Sequence, residues 1–476
     1  MFKMTRITNI AKTAIFVAAV ALLSSCGKDF LYPEPTTALE EKDVFTSLTN
    51  ARAAMVGAYD QLSSYSFDGL YLPIMADLTG EDLMLNSTNN YNWFVPVYQL
   101  NVLPNYQYAS RPWSAGYKII FDANKIIAGV PQLADATQED KDALIAEARV
   151  MRAYVMLKLT QVFAPAYATH PDAPAILLVT QPMAYDAPDI ARSSVREVYE
   201  QIVADLQYGA GILGDDRETG FFGQRAAHAL LARAYLDMQE WEKARDHARQ
   251  AYEGTTLMTI DEMLGGFFRS NRETIFSIAY TAEDNNVYLS IPSFYWPVAG
   301  YSSMRADSRF VERFASNDYR HYFFLKQENI DPDNWLILKF MHNQQVGNAE
   351  RISIRAAEMY LIEAEAEAEL GHYSAAQDAL YIIQSRAIPG IGKSPATGQE
   401  LIDEILIERR KELFGEGFRW NDIKRRNLPF VREGDHWVKY DFGPGEDEYY
   451  RLTFPIPQRE IDANDAVSEQ DQNPGY

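Results

Sequence analysis

The sequence predicts a mostly α-helical fold, in which a tetratricopeptide-type scaffold of helical repeats carries long irregular loop insertions. Three observations lead to this prediction. Apolar residues recur at spacings of three and four along several segments, which is the period of an amphipathic helix. A short pattern of small and aromatic residues occurs twice. Two long stretches between the helical segments lack this period and are rich in Tyr, Trp, Phe, Asn, Pro and Gly.

The predicted helices follow one another closely along the chain. The apolar stripe of the first helix consists of Phe45, Leu48, Ala51, Met55 and Tyr59. Several later helices are joined by only a few residues, and helices joined so tightly pack antiparallel. The predicted helices are residues 42–62, 117–130, 139–163, 194–213, 225–238, 240–252, 355–370, 373–387 and 399–414.

An internal repeat supports the helical scaffold. Small residues let two helices approach, and an aromatic residue that opens the second helix fills the wedge between them, as in tetratricopeptide helix pairs. The repeated positions and their counterparts are Ala232, Ala234, Trp241 and Ala244, and Ala364, Ala366, Tyr373 and Ala376. The acidic residues that alternate with the second set of alanines are interpreted as a solvated helix face; they are Glu363, Glu365, Glu367 and Glu369.

The amino terminus has the pattern of a secretory signal. Three basic residues precede an apolar run over 14–23, which is too short to span a bilayer. The sequence Leu-Ser-Ser then leads to Cys26, the single cysteine of the chain. This ending resembles the bacterial lipobox, in which the cysteine becomes the acylated first residue. The alternative is an ordinary signal peptide with a chance cysteine.

These features predict the division of the chain. Residues 1–25 are expected to form a lipoprotein signal peptide. Residues 26–40 are expected to hold the acylated cysteine, carrying palmitate or a similar chain, and a tether. Residues 41–476 are expected to form a single domain, with binding loops at about 83–113 and 255–345. Long loops without secondary structure of their own are usually functional.

Composition and motifs exclude several classes of protein. A formal net charge of −22 argues against nucleic-acid binding, which depends on cations placed against phosphates. One cysteine can form neither an internal disulfide nor a zinc site built from thiolates. The seven histidines include no pair spaced i, i+4, so the helical zinc motif is absent from the sequence. We therefore predict no catalytic residue, no metal ligand and no cofactor. A pair of carboxylates acting as in a glycosidase stays open as an alternative, because acidic residues are abundant and their distances are unknown from the sequence.

Aromatic clusters in the long loops point to ligand binding. The apolar face of a sugar ring stacks on a flat aromatic ring, while amides and carboxylates bind its hydroxyl groups. Trp93 and Trp296 rank first because further aromatic residues flank each of them. The alternative is that these rings pack the loops onto the scaffold or contact a partner protein. The predicted ligand-binding residues are Trp93, Trp296, Tyr91, Asn90, Asn92, Tyr295 and Tyr301.

Motifs in order along the whole chain resemble one known family. They comprise Cys26-Gly27-Lys28-Asp29-Phe30-Leu31; Trp113, Tyr117, Ile120, Asn124 and Ile127; Arg355, Glu358, Tyr360, Leu361 and 363–366; Glu408-Arg409-Arg410, Glu412, Phe414, Gly417, Arg419-Trp420 and Asp422; and the segments 455–461 and 472–476. Together they resemble the SusD/RagB family of outer-membrane nutrient-binding lipoproteins.

The resemblance implies a SusD-like fold, a lipid anchor in the outer membrane and exposure at the cell surface. It also implies capture of an oligosaccharide, without chemistry, for a TonB-dependent SusC-like transporter that acts as partner. A peptide or glycoprotein ligand of the RagB type is the main alternative. An anchored glycosidase and a purely structural helical adaptor are two further hypotheses.

Overall fold

The computed structural model describes residues 45–476 except 185–186, 216, 328–330 and 343–346. The predicted signal peptide, Cys26 and the whole predicted tether region, residues 26–40, therefore lie outside the described residues, and their assignment stays a prediction. Within the described part of the chain, no helix combines the length and the apolar character needed to cross a membrane.

Every predicted helix is present, with ends shifted by a few residues in most cases, and further short helices occur in the loops. The helices are α1 (Leu48–Ser63), α2 (Tyr71–Leu78), α3 (Val95–Tyr98), α4 (Gln107–Gly129), α5 (Gln138–Phe163), α6 (Val195–Ile212), α7 (Gln224–Met238), α8 (Trp241–Tyr252), α9 (Ile260–Leu264), α10 (Ile291–Tyr295), α11 (Ser308–Val311), α12 (Ala356–Glu369), α13 (Tyr373–Ala387), α14 (Gly398–Glu412), α15 (Arg419–Arg425) and α16 (Gln458–Ala463).

The strands of the described residues are short, and half of them lie in the two stretches predicted to be irregular. They are β1 (Leu83–Leu85), β2 (Pro174–Leu177), β3 (Arg192–Ser194), β4 (Thr274–Ile278), β5 (Met304–Ala306), β6 (Phe324–Gln327), β7 (Asp331–Ile337), β8 (Arg351–Arg355), β9 (Phe430–Arg432) and β10 (Tyr440–Phe442).

The scaffold is a succession of packed helices that a long insertion interrupts. Each helix from α4 to α7 packs against the helix that follows it in the chain. The chain then leaves the scaffold and returns at α12, which packs directly against α8. The predicted insertion on a helical scaffold is therefore confirmed.

The predicted repeat is visible in the turns between its helices. Gln239 and Gly371 occupy equivalent positions after α7 and α12, and both have left-handed backbones, with φ of 59° and 79°. Such a residue ends a helix and redirects the chain. The next helices then open with Trp241 and Tyr373, as predicted, and the repeated alanines are buried between the helices.

The interpretation of the acidic run in α12 as a solvated face is wrong. Glu363, Glu365 and Glu367 are buried. Arg425, in α15, forms two hydrogen bonds with Glu365 at 2.6 and 2.8 Å. Arg249, in α8, donates to Glu363 at 2.7 Å and to Glu367 at 2.6 Å. Neighbouring helices cover the acids and supply their counter-charges, because buried carboxylates need such partners.

The insertion carries a small antiparallel sheet and shares the core of the scaffold. The sheet has the strand order β1-β5-β7-β6. A separate pair joins β4 to β8, and β8 leads directly into α12, which ties the insertion to the scaffold. One continuous cluster of buried apolar residues includes both Met156 of α5 and Met304 of β5. The insertion and the scaffold are thus parts of one core.

Helix α4 is longer than predicted. It begins at Gln107 and not near residue 117, with Pro112 inside it. A proline within a helix removes one backbone hydrogen bond and obscures the helical pattern in the sequence. Burial of Tyr108 and Trp113 stabilises these additional turns.

Candidate ligand-binding site

Strand pairing brings the two predicted binding loops together. Strands β1 and β5 are antiparallel, with Leu83 opposite Ala306 and Leu85 opposite Met304. The chain that leaves β1 and the chain that enters β5 therefore meet at the same end of the sheet. A hydrogen bond from the Asn86 N–H to the Ser303 carbonyl, at 2.8 Å, extends this pairing into the loops.

Asparagine side chains hold the first loop in a compact conformation. The Asn86 Oδ1 accepts from the N–H groups of Thr88 and Asn89 at 2.9 and 2.8 Å. The Asn90 amide donates back to the Asn86 carbonyl at 2.9 Å, and its Oδ1 accepts from the Asn92 N–H at 2.9 Å. Asn90, a predicted ligand-binding residue, thus serves the loop itself, whereas Asn92 is exposed.

The backbone of this loop is left-handed at three residues around Trp93. Tyr91, Asn92 and Phe94 have φ values of 53°, 62° and 59°. Left-handed conformations cost a residue with a side chain about 1 kcal/mol or more, and they concentrate at functional sites. In this conformation the Tyr91 side chain is exposed, whereas the Phe94 side chain is fully buried.

Four rings from the two loops form a surface that we call the aromatic platform: Tyr91, Trp93, Tyr288 and Tyr301. The Tyr301 ring is central, with centroid distances of 5.1 Å to Tyr91, 6.4 Å to Trp93 and 6.3 Å to Tyr288. Tyr91 is 58% exposed and Tyr288 is 54% exposed. Trp93 and Tyr301 are half-buried.

A buried aromatic layer supports the platform. Phe294 lies 6.1 Å from Trp93 and 4.9 Å from Tyr301, measured between ring centroids. Phe94 packs beside Phe294 at 5.5 Å, in an edge-to-face arrangement. Both phenylalanines are fully buried. Rings fixed from below lose little conformational freedom when they bind a ligand, so the platform is preorganised.

Two of the predicted aromatic residues lie outside the platform. The Trp296 ring contacts that of His342, with a centroid distance of 5.2 Å, and makes no ring contact with the platform among the described residues. Tyr295 was predicted to bind ligand, but the structure buries its side chain, where the ring packs on Phe340 at 4.9 Å. The tyrosine ends a one-turn helix, α10, whose five residues are all buried.

Asp77, near Tyr295, makes stability depend on pH. Its carboxylate accepts from the Gly417 N–H at 2.7 Å, and burial raises its pKa to about 8. An unfolded aspartate titrates at about 4, so between about pH 4 and 8 the folded chain binds the extra proton and stability falls as pH rises.

We expect Asp77→Asn to raise the melting temperature at about pH 9 and to have a smaller effect at about pH 5. The amide keeps an acceptor for Gly417 and removes the buried charge. Thermal melting at both pH values checks this expectation, with Asp441→Asn, an exposed aspartate, as control. Equal shifts at the two pH values would contradict it.

Family models match both halves of the chain. A model of the SusD family matches residues 326–476. A second model, of a SusD-like family described as starch-binding and associating with the outer membrane, matches residues 30–236. The chain belongs to the SusD family. The predicted resemblance is therefore confirmed, and the platform of this SusD-like chain lies on loops that the two matched segments only partly cover.

Relatives in other bacteria match this SusD-like chain over nearly its whole length. A SusD-like protein of Formosa agariphila is 26% identical over 513 residues, covering 96% of this chain and 98% of the relative. A SusD-like protein of Bacteroides ovatus is 24% identical over 472 residues, covering 88% of this chain and 83% of the relative.

Solved structures of the family share the fold. A SusD superfamily protein of Bacteroides thetaiotaomicron has a TM-score of 0.83 at 26% identity, covering 90% of this chain and 100% of the other. A candidate sugar-binding protein of Bacteroides vulgatus has a TM-score of 0.81 at 25% identity, covering 90% and 99%. A laminarin-binding SusD-like protein has a TM-score of 0.73 at 20% identity, covering 90% and 100%. The helical-repeat fold is thereby confirmed.

Proposed function

We propose that this protein is a carbohydrate-binding lipoprotein of the outer membrane, exposed at the cell surface. It captures an oligosaccharide on the aromatic platform and delivers it to a TonB-dependent SusC-like transporter, without chemistry of its own. The observation that carries the proposal is the convergence of Tyr91, Trp93, Tyr288 and Tyr301 on one exposed surface. The family model described as starch-binding and the sugar-binding candidate among the solved structures support it.

The chemistry of the platform suits a sugar chain. The C–H face of a pyranose is apolar and stacks on an aromatic ring. Tyrosine hydroxyl groups and the exposed amide of Asn92 can exchange hydrogen bonds with sugar hydroxyl groups at the edge of the rings. Because Tyr91 and Tyr288 lie on opposite loops and both contact the central Tyr301 ring, an extended chain can touch more than one ring at once.

The anchoring part of the proposal rests on the lipobox at Cys26 and on the outer-membrane association in the description of the family model. Each buried methylene contributes about 0.8 kcal/mol, so two acyl chains hold a protein firmly on a membrane. The net charge of −22 opposes contact with anionic headgroups. Residues 26–40 would then hold the folded body away from the bilayer.

Trp93→Ala is expected to weaken polysaccharide binding by about tenfold. Loss of a stacked ring costs about 0.5–1.5 kcal/mol beyond the lost contact area, and 1.4 kcal/mol corresponds to a factor of ten. Isothermal titration calorimetry against a panel of polysaccharides measures the change. Tyr322→Ala is a control for loss of an exposed ring, because Tyr322 is 65% exposed and makes no ring contact with the platform among the described residues.

The variants also distinguish the alternatives. Trp296→Ala should change the affinity less than Trp93→Ala does, because Trp296 packs on His342 outside the platform. Binding that survives Trp93→Ala unchanged would contradict the site assignment. Mass spectrometry of material that co-purifies with the protein decides between sugar and peptide. Bound peptides without sugar would favour a peptide-binding uptake protein.

A further inference from the structure

Arg111 of α4 is connected to the aromatic platform through the Tyr71 side chain. Its Nη1 donates to the hydroxyl groups of Tyr65 and Tyr71, at 3.0 and 3.4 Å. The guanidinium carbon lies 5.7 Å from the centre of the Tyr65 ring. The Tyr71 ring in turn contacts Trp93 edge to face, with a centroid distance of 6.4 Å. One tyrosine therefore separates this cation from a ring of the platform.

Arg111, which is half-buried, lacks the counter-charge that the fully buried arginines of this chain usually have. Arg152, for example, pairs with Asp205 at 2.8 Å, and Arg233 pairs with Glu358 at 2.6 Å. Acidic residues outnumber basic ones by 66 to 44, so partners are abundant. Nevertheless, among the described residues no carboxylate lies within ion-pair distance of Arg111, whose contacts are the two tyrosines.

The free part of the guanidinium group is the part that binds oxyanions best. Nε and Nη2 of Arg111 have no hydrogen-bond partner among the described residues, and neither atom is buried. These two nitrogens form one edge of the planar group, which can bind a carboxylate through two parallel hydrogen bonds. The tyrosines occupy only Nη1 and hold the group in a defined orientation.

The start of α4 adds positive potential at the same place. The helix begins at Gln107 without a capping side chain and has no acidic residue in its first turn. Helical side chains in general lean toward the amino terminus, and Arg111 is the fifth residue of this helix. The unpaired N–H groups there favour an anion, in addition to the guanidinium charge.

We propose that the ligand of the aromatic platform is an acidic oligosaccharide, and that Arg111 binds a carboxylate or sulfate group of it. This inference rests on the proposed function and narrows the class of substrate. The platform holds the sugar rings by stacking, while the Nε–Nη2 edge of Arg111 selects chains that carry an oxyanion. If Arg111 served only to hold Tyr65 and Tyr71 together, this role would explain the hydrogen bonds of Nη1. It would leave the Nε–Nη2 edge without a role.

The test compares polysaccharides that share a sugar backbone and differ in whether they carry charged groups. The first pair of polysaccharides, polygalacturonate and its fully methyl-esterified form, tests for recognition of a carboxylate. The second pair, dextran sulfate and dextran, tests for recognition of a sulfate. Calorimetry with the wild type should show at least about tenfold tighter binding of the acidic member of one pair. The pair that shows the preference identifies the oxyanion.

Variants connect the preference to Arg111. Arg111→Gln should remove the preference and retain the affinity for the neutral member, which also shows that the platform is intact. Arg111→Lys keeps the charge without the two-nitrogen edge and should retain a reduced preference. Arg52→Gln removes a distant exposed arginine as a control and should leave the preference unchanged.

The outcomes separate this inference from the proposed function. Equal binding of both members of each pair, binding of neutral members only, or a preference that survives Arg111→Gln overturns the role of Arg111 and leaves the proposed function standing. Loss of all polysaccharide binding in both Arg111→Gln and Arg111→Lys would show that Arg111 supports the structure of the site, and it also overturns the inference. Absence of binding to every polysaccharide by the wild type overturns the proposed function and this inference with it.

Discussion

Glu412→Ala is expected to lower the free energy of unfolding by about 3–5 kcal/mol, the cost of breaking a buried ion pair from one side. Glu412 ends α14 and is fully buried. Its carboxylate accepts from Arg355 at 2.7 Å, from Arg320 at 3.0 Å and from Arg386 at a shorter distance. Removal of the carboxylate leaves three buried guanidinium groups short of an acceptor.

The same cluster should make the protein sensitive to acid. Burial alone would raise the pKa of Glu412, but the charges of Arg386, Arg355 and Arg320 hold it well below the usual value. A carboxylate whose pKa is lowered by folding stabilises the protein above the unfolded pKa of about 4.3, and this contribution is lost as pH falls below it.

Urea unfolding of wild type and Glu412→Ala at neutral pH measures the loss. Glu400→Ala is the matched control, because Glu400 lies in the same helix and is exposed. Its substitution should change stability by no more than about 0.5 kcal/mol. A loss for Glu412→Ala as small as that of the control would show that the cluster does not stabilise the fold.

Trp420→Ala is expected to cost about 3–5 kcal/mol, as large aromatic truncations in cores do. Trp420, in α15, is 2% exposed and packs on Phe454 with a centroid distance of 4.7 Å. Its Nε1 donates to the Leu452 carbonyl at 2.8 Å. The substitution therefore leaves a cavity and also a buried carbonyl without its partner.

Trp437→Ala provides a close comparison. Trp437 also donates its Nε1 to a carbonyl, that of Leu85 at 2.7 Å, but its side chain is 39% exposed. Because folding buries less apolar area of Trp437 than of Trp420, Trp437→Ala should lower the free energy of unfolding clearly less than Trp420→Ala does. Chemical denaturation of both variants tests the difference, and equal losses would contradict the assignment of Trp420 to the core.

The candidate site was only partly predictable. Tyr91, Trp93 and Tyr301 were predicted from their place in polar, irregular segments, and the structure brings these three rings together. Tyr295 follows the same sequence pattern but points inward, because the short helix α10 is buried throughout. Trp296, one residue later, lies near His342. Which side of a loop a ring occupies depends on backbone turns that a loop sequence does not reveal.

Arg111 was not predicted because it lies within a segment assigned to a loop. A signal was present, since no acidic residue stands three or four positions away on either side to pair with it. That signal has meaning only if the segment is helical, and Pro112 obscured the helix. Once α4 is known to begin at Gln107, the missing partner becomes apparent.

The sequence by itself determined the helical scaffold, its repeat and the family, because apolar periodicity and ordered motifs are local properties of a chain. Only the tertiary structure decided which charges pair and which rings come together on one surface. The sequence favours a solvated face for the acids of α12, yet arginines of α8 and α15 pair with three of them in the folded chain. Arg111 has ordinary surroundings in the sequence, yet folding leaves its Nε and Nη2 without a hydrogen-bond partner among the described residues. Both outcomes depend on contacts between distant segments, which no local pattern contains.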